Sequence, residues 1–200
     1  MRLSLLGMPG SGKSTLAKII GDYFEIPVIS SGALARAHGF AGSQAEKEGR
    51  LDPDDEKICN LVLRAVGDST AYILDGFPRV HRQVSRVPLK LDAVIYLEDT
   101  IYNAGKRLLD RGRPDDNLDT IAKRMEVYAE HTAPLVDWYE KANLLVTMKV
   151  IGTPMEIFTK TIQALNKKGV FEAVTSIRQL KKELAHERKH SGNYRKTKKK

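Results

Sequence analysis

The residues Gly7-Met8-Pro9-Gly10-Ser11-Gly12-Lys13-Ser14 fit the pattern G-x-x-x-x-G-K-[ST], directly after an apolar run at 3–6. Glycines in such a loop let successive backbone N–H groups turn inward around phosphate oxygens, and the helix expected to follow adds the partial positive charge of its N-terminus. Gly10, Ser11 and Gly12 then form a cradle, Lys13 reaches the β- and γ-phosphates of a nucleoside triphosphate, Ser14 offers a hydroxyl to Mg²⁺ and Thr15 can hydrogen-bond phosphate. A chance match somewhere in 200 residues is on the order of one in a hundred at ordinary glycine usage, before the strand-to-helix context is counted. The loop binds phosphates without naming the reaction, because unrelated nucleotide enzymes share it.

A second constellation follows the apolar run at 71–74: Asp75-Gly76-Phe77-Pro78-Arg79, with Gln83 four residues later. Asp75 stands where a strand-end carboxylate can hold Mg²⁺ through water, although a turn or capping aspartate fits the same position. Gly76 lets a ligand approach the backbone, and Arg79 carries the planar fork suited to a phosphate.

Together with the phosphate-binding loop, these residues resemble the adenylate kinase branch of the nucleoside monophosphate kinases. Ile29-Ser30-Ser31-Gly32-x-x-x-Arg36 is similar to the stretch that begins that family's acceptor flap, which implies that Ser31 contacts the nucleotide and Arg36 its phosphate. Gly49-Arg50-Leu51-Asp52-Pro53 resembles the segment whose backbone lines the acceptor base, with a departure at Asp52. The resemblance further implies that Arg79 shares the acceptor phosphate with Arg36, and that the Gln83 amide meets the Watson–Crick edge of the base.

In the second half, Arg107-x-x-x-Arg111-x-Arg113-Pro114-Asp115-Asp116-Asn117 leads to Arg124 and Tyr128, and this looks like the family's lid and the helix after it. On that resemblance Arg107 packs against the ATP adenine, while Arg111, Arg113 and Arg124 close around the phosphates in transfer. Arg113 and Arg124 also serve the acceptor side, and Gly152, in Gly152-Thr153-Pro154, belongs to the turn against the ATP base. The catalytic set is therefore Lys13, Arg79, Arg111, Arg113 and Arg124, with Ser14 and Asp75 towards Mg²⁺. Arginines on helices are also commonly paired with acids, and Asp110, Asp115 and Asp116 are available partners. Thr153 and Pro154 equally read as a helix N-cap and first helical residue. Arg64, Arg82 and Arg86 fit no motif and read as surface residues.

The elements that must carry these residues are five apolar runs, at 3–6, 27–29, 71–74, 93–97 and 144–150, alternating with helical periodicity at 13–22, 54–66, 100–110, 118–141 and 154–166. Such alternation predicts an α/β fold, a five-stranded parallel sheet with helices on both faces. The resemblance makes it P-loop NTPase type, a kinase domain over 1–166 with a short flap at about 30–53 and a short lid at about 111–117. Flap and lid are both shorter than the family's usual forms. The gates over the two nucleotides are thus where base selectivity and exclusion of water are expected to differ, with some acceptor-independent ATP hydrolysis.

The formal charge of +8 is uneven: residues 167–200 hold 12 Lys and Arg against three Glu, a net +9, which leaves about −1 on residues 1–166. The basic extension, with helical spacing at 176–190 and a polar end read as disordered, could contact nucleic acid or an acidic partner, or serve only solubility. One cysteine, Cys59, excludes an intramolecular disulfide, and the histidines His38, His81 and His131 lack acid–base spacing and read as surface or capping. Trp138 and Tyr139 read as packing residues. With no apolar run of membrane-spanning length and no signal-peptide core, a cytoplasmic protein is expected, and the resemblance implies a monomer.

These observations lead to one expected function, reversible transfer of the ATP γ-phosphoryl group to a nucleoside monophosphate, AMP by virtue of Gln83, with Mg²⁺ as cofactor. A UMP/CMP-type acceptor is the nearest alternative, and a nucleic-acid-associated ATPase or interaction protein acting through the extension is the alternative from another class.

Overall fold

The computed structural model describes residues 1–39, 55–113 and 116–170. Its centre is a five-stranded, all-parallel sheet: β1 (Arg2–Gly7), β2 (Val28–Ser30), β3 (Tyr72–Asp75), β4 (Ala93–Glu98) and β5 (Leu145–Lys149), in the order β2-β3-β1-β4-β5. The strands match the five apolar runs within a residue or two at each end. Both faces are covered, so alternate residues of one strand feed different cores. Leu3 and Leu5 pack with Leu16 and Ile20 of α1 (Lys13–Phe24) and with Phe158 and Leu165 of the last described helix. Leu6 and Val94 turn to the other face, where they meet Leu135 and Tyr139.

That second face also carries α3 (Asp55–Val66), which follows α2 (Ser31–Ala37) in the described chain, and α4 (His81–Arg86). Ile58, Val62 and Val66 of α3 pack on Tyr72 and Leu74 of β3. A third, smaller cluster joins Met8 of the phosphate-binding loop to Ala104 and Leu108 of α5 (Ile101–Arg111) and to Ile121 and Met125 of α6 (Leu118–Val127). The loop thus rests on the pair of helices that bears the second-half arginines. α7 (Pro134–Lys141) and α8 (Pro154–Lys167) complete the fold, and no described helix is long and apolar enough to cross a membrane.

The structure departs from the sequence expectation at three elements. The helix expected over 118–141 is not one α-helix, because Pro134 has no N–H to give the carbonyl four residues before it. The chain passes instead through a π-type turn at Tyr128–Thr132, closed by the Ala133 N–H donating to the Tyr128 carbonyl at 2.8 Å. The other two are α2 and α4, which are seven and six residues long and too short for a periodic signal. The flap at 40–53, the lid residues Pro114 and Asp115 and the spacing at 176–190 lie outside the described residues. α8 runs to Lys167, and Val170 packs against the core.

Candidate active site

In a parallel sheet every strand delivers its following loop to the same edge, and here three neighbouring strands, β2, β3 and β1, deliver Ser31, Asp75–Gly76 and the phosphate-binding loop. The junction is the end of β3. Ser14 Oγ donates to Asp75 Oδ2 at 2.6 Å from the loop side. From the β2 side, Ser31 Oγ donates to the Gly76 carbonyl at 2.7 Å, and Arg79 Nε donates to the same carbonyl at 2.7 Å. Asp75 and Ser31 are both buried.

Lys13 is folded onto its own loop, its ammonium donating to the Gly7 and Met8 carbonyls, each at 2.7 Å. Burial draws its pKa down to about 7; Asp75 opposes the shift, while Arg79 and Arg111 are near enough to add to it. The two helix-borne and turn-borne arginines therefore share the lysine's electrostatic surroundings. The loop sits tightly on α5: at Gly10, whose φ is +80°, a Cβ would lie 2.2 Å from the Ala104 carbonyl oxygen, so any other residue there would force loop and helix apart.

After β2, Arg36 is exposed on α2, and a Cβ on Gly32 would lie 3.4 Å from Arg36 Nη1 and 3.8 Å from Arg79 Nη2. Both guanidiniums thus face one glycine. Gln83 is buried at 4% exposure, and its Oε1 accepts from the Arg79 backbone N–H at 2.7 Å. That bond fixes which end of the amide is oxygen.

Arg111, Arg113 and Arg124 converge on one carboxylate. Arg111 donates to Asp116 through Nε at 2.8 Å and Nη2 at 2.6 Å, Arg124 Nη1 approaches it at 3.4 Å, and the Arg113 backbone N–H donates to it at 3.2 Å. The Asp116 side chain has no exposed area. The sequence reading named Asp116 only as a partner for arginines, and the structure makes it the residue that gathers them; its place just before the Asn117 cap of α6 was the available signal. Arg107 lies apart from this group, donating through Nε to the Gly10 carbonyl at 2.8 Å and paired with Asp99. Thr15 is exposed in the first turn of α1, and Gly152 stands beyond the end of β5, two strands from β1. Thr153 and Glu156 form a reciprocal capping box with Pro154 at the helix start, so the capping reading of that turn holds. Leu51 lies outside the described residues.

Other expectations can be placed as well. His38, His81 and His131 are exposed, as are Arg64, Arg82 and Arg86. Tyr139 is buried as expected of a packing residue, whereas Trp138 is 40% exposed and sets its ring edge-to-face against His81 and Tyr139. The Ser14 hydroxyl and Asp75 carboxylate are hard oxygen donors beside a phosphate-binding loop, a donor set that fits Mg²⁺ shared with substrate phosphates and water.

Hydrogen bonds from Arg111 hold the Asp116 carboxyl below the usual carboxylate range, with Arg113 and Arg124 acting in the same direction against burial. Its folded pKa lies below the unfolded value of about 3.9, so its contribution to stability is complete above that value and is lost as pH falls through the folded pKa. Urea unfolding of the protein and of Asp116→Asn should therefore differ most at neutral pH and converge in acid below about pH 4.

Comparison with known proteins agrees with this geometry. A family model described as adenylate kinase matches residues 5–144. An adenylate kinase of Mycobacteroides abscessus is 37% identical over 183 residues, covering 84% of this chain and all of the relative. Adenylate kinases of Corynebacterium urealyticum and Xanthomonas oryzae pv. oryzae are 38% and 36% identical over 184 and 187 residues, again covering 84% of this chain and the whole of each relative. With the phosphate-binding loop, the strand-end Asp75–Gly76 and the arginines in the family's order, this chain belongs to the adenylate kinase family, the nucleoside monophosphate kinases.

Proposed function

We propose that the protein transfers the γ-phosphoryl group of ATP reversibly to AMP, giving two ADP. The observation that carries this reading is the double use of one peptide: Asp75 engages the donor loop through Ser14, and Gly76 engages the acceptor cluster through Ser31 and Arg79. Phosphates bound on either side of that peptide would be neighbours, as in-line transfer requires.

The attacking group is an acceptor phosphate oxygen, ionised at neutral pH because its second pKa is about 6, so no general base is called for. Catalysis then rests on alignment and on charge. Gly10, Ser11, Gly12, Lys13 and Thr15 would hold the donor phosphates, and Arg36 and Arg79 the acceptor phosphate. Arg111, Arg113 and Arg124 would close over the transferring group, with Asp116 keeping two of their guanidiniums together. Arginine suits this work because its fork makes two parallel hydrogen bonds to a phosphoryl group. Ser14 and Asp75 would hold Mg²⁺, directly or through water, and the ion would offset the growing negative charge on the bridging phosphates. Arg107 would meet the adenine of ATP, with the Gly152 turn beside it.

Base selectivity follows from the orientation of Gln83. Its oxygen accepts from the Arg79 backbone N–H, an orientation that supports a reading in which the NH₂ group meets the base, where adenine offers an acceptor at N1 and guanine and uracil offer an N–H. This favours AMP over a UMP-type acceptor. The adenylate kinase names of relatives covered along their whole length also weigh against the ATPase reading. The net +9 of residues 167–200 supports, as an accessory property, contact with nucleic acid or another polyanion. A cytoplasmic, monomeric enzyme completes the reading.

Lys13→Met keeps most of the side-chain volume and removes the charge, so kcat/KM should fall by about 10³-fold or more with the melting temperature little changed. Near-normal turnover would remove the loop from the chemistry. Gln83→Ala should narrow the preference for AMP over GMP and UMP by more than it lowers turnover with AMP. Unchanged preference across those acceptors would take Gln83 out of base reading.

A further inference from the structure

Asp99 belongs to none of the motifs above. It lies between β4 and α5 with its side chain only 2% exposed. Oδ1 accepts the Thr100 N–H at 2.8 Å, and Thr100 is itself tied to α5 as the N-cap, its hydroxyl accepting from the Asn103 N–H at 3.2 Å. The carboxylate is thereby turned along the helix, where Oδ2 meets Arg107 Nη2. Arg107 stands two turns further on, and helical side chains lean back towards the N-terminus, which is the direction of this reach.

Arg107 Nε donates in turn to the Gly10 carbonyl at 2.8 Å. Nε and Nη2 lie along one edge of the guanidinium, so that edge donates a hydrogen bond to the phosphate-binding loop and forms an ion pair with the Asp99 carboxylate. Tied to its own helix through Cδ and held at two further points along one edge, the planar group has its plane set. The Arg107 side chain nevertheless remains 40% exposed, so a face of it is open beside the loop.

We propose that Asp99 is a positioning residue for the donor nucleotide, fixing the plane of Arg107 as the platform on which the ATP base stacks. This rests on the donor-site reading of Arg107. Without Asp99, Arg107 keeps one anchor and gains rotamers, and nucleotide binding must order it again. The loss falls on the base alone, because stacking uses the π face and not the phosphates. The sign is informative as well: removing a negative charge near a polyphosphate site would by electrostatics alone tighten nucleotide binding, whereas loss of the platform weakens it.

The test is equilibrium binding to the full-length protein by calorimetry, with MgATP and magnesium tripolyphosphate as the two probes. Asp99→Asn should weaken ATP by about fivefold to tenfold and leave tripolyphosphate within about twofold. Asp99→Asn added to Arg107→Ala should cost little more than Arg107→Ala alone. Asp110→Asn, which removes the same charge from an exposed position of α5, should change neither probe. Equal weakening of both probes would mean that Asp99 merely supports the loop, and additive effects or no effect of Asp99→Asn would also overturn the proposal. If Asp99→Asn fails to fold, Asp99→Glu tests the same point: its base-dependent loss should vanish in the Arg107→Ala background. The readout needs no phosphoryl transfer, so a protein with this binding pattern that transfers nothing to AMP would overturn the proposed function and leave the role of Asp99 standing.

Discussion

The arrangement of the site depends on one peptide at the end of β3. Asp75 receives the Ser14 hydroxyl and Gly76 receives Ser31 and Arg79, so the phosphate-binding loop and the segments after β2 and β3 meet across a single residue boundary. Only a parallel sheet with β3 between β2 and β1 brings those three loops to one edge. The register matters equally. Leu3, Leu5 and Ile73 must face α1 and α8 while Leu6, Tyr72 and Leu74 face the other helices, and a slip of one residue in β3 would exchange its two faces and carry Asp75 out of reach of Ser14.

The second constraint is charge. Lys13, Arg79 and Arg111 share one neighbourhood, and the depressed Lys13 pKa reflects burial together with those two cations. Five of the site's cations rest on protein oxygen: Lys13 on the Gly7 and Met8 carbonyls, Arg79 on Gly76, Arg107 on Gly10 and Asp99, Arg111 and Arg124 on Asp116. These oxygens offset the repulsion that gathering cations would otherwise cost.

Much of this was legible in the sequence, for physical reasons. Strands buried on both faces need continuous apolar runs, and 71–74 and 93–97 stand out for that reason; the loop at 7–14 declares itself because few residue types can make its turns. What escaped were features fixed by a single long-range or local contact. The break before Pro134 takes the form of a π-type turn that no propensity announces. The orientation of the Gln83 amide depends on the Arg79 N–H. Asp116 and Asp99 are ordinary acids in the sequence, and they acquire their importance only where the fold brings arginines onto them.

The central claim is that one cleft joins a triphosphate donor to a monophosphate acceptor. It is tested most directly by incubating the purified protein with MgATP and, separately, AMP, GMP, CMP, UMP or dTMP, measuring the nucleoside diphosphate formed and the phosphate released without acceptor. The account predicts rapid ADP formation with AMP, well beyond that from ATP alone and beyond diphosphate formation with the other acceptors. Phosphate release with no acceptor-dependent diphosphate would contradict it.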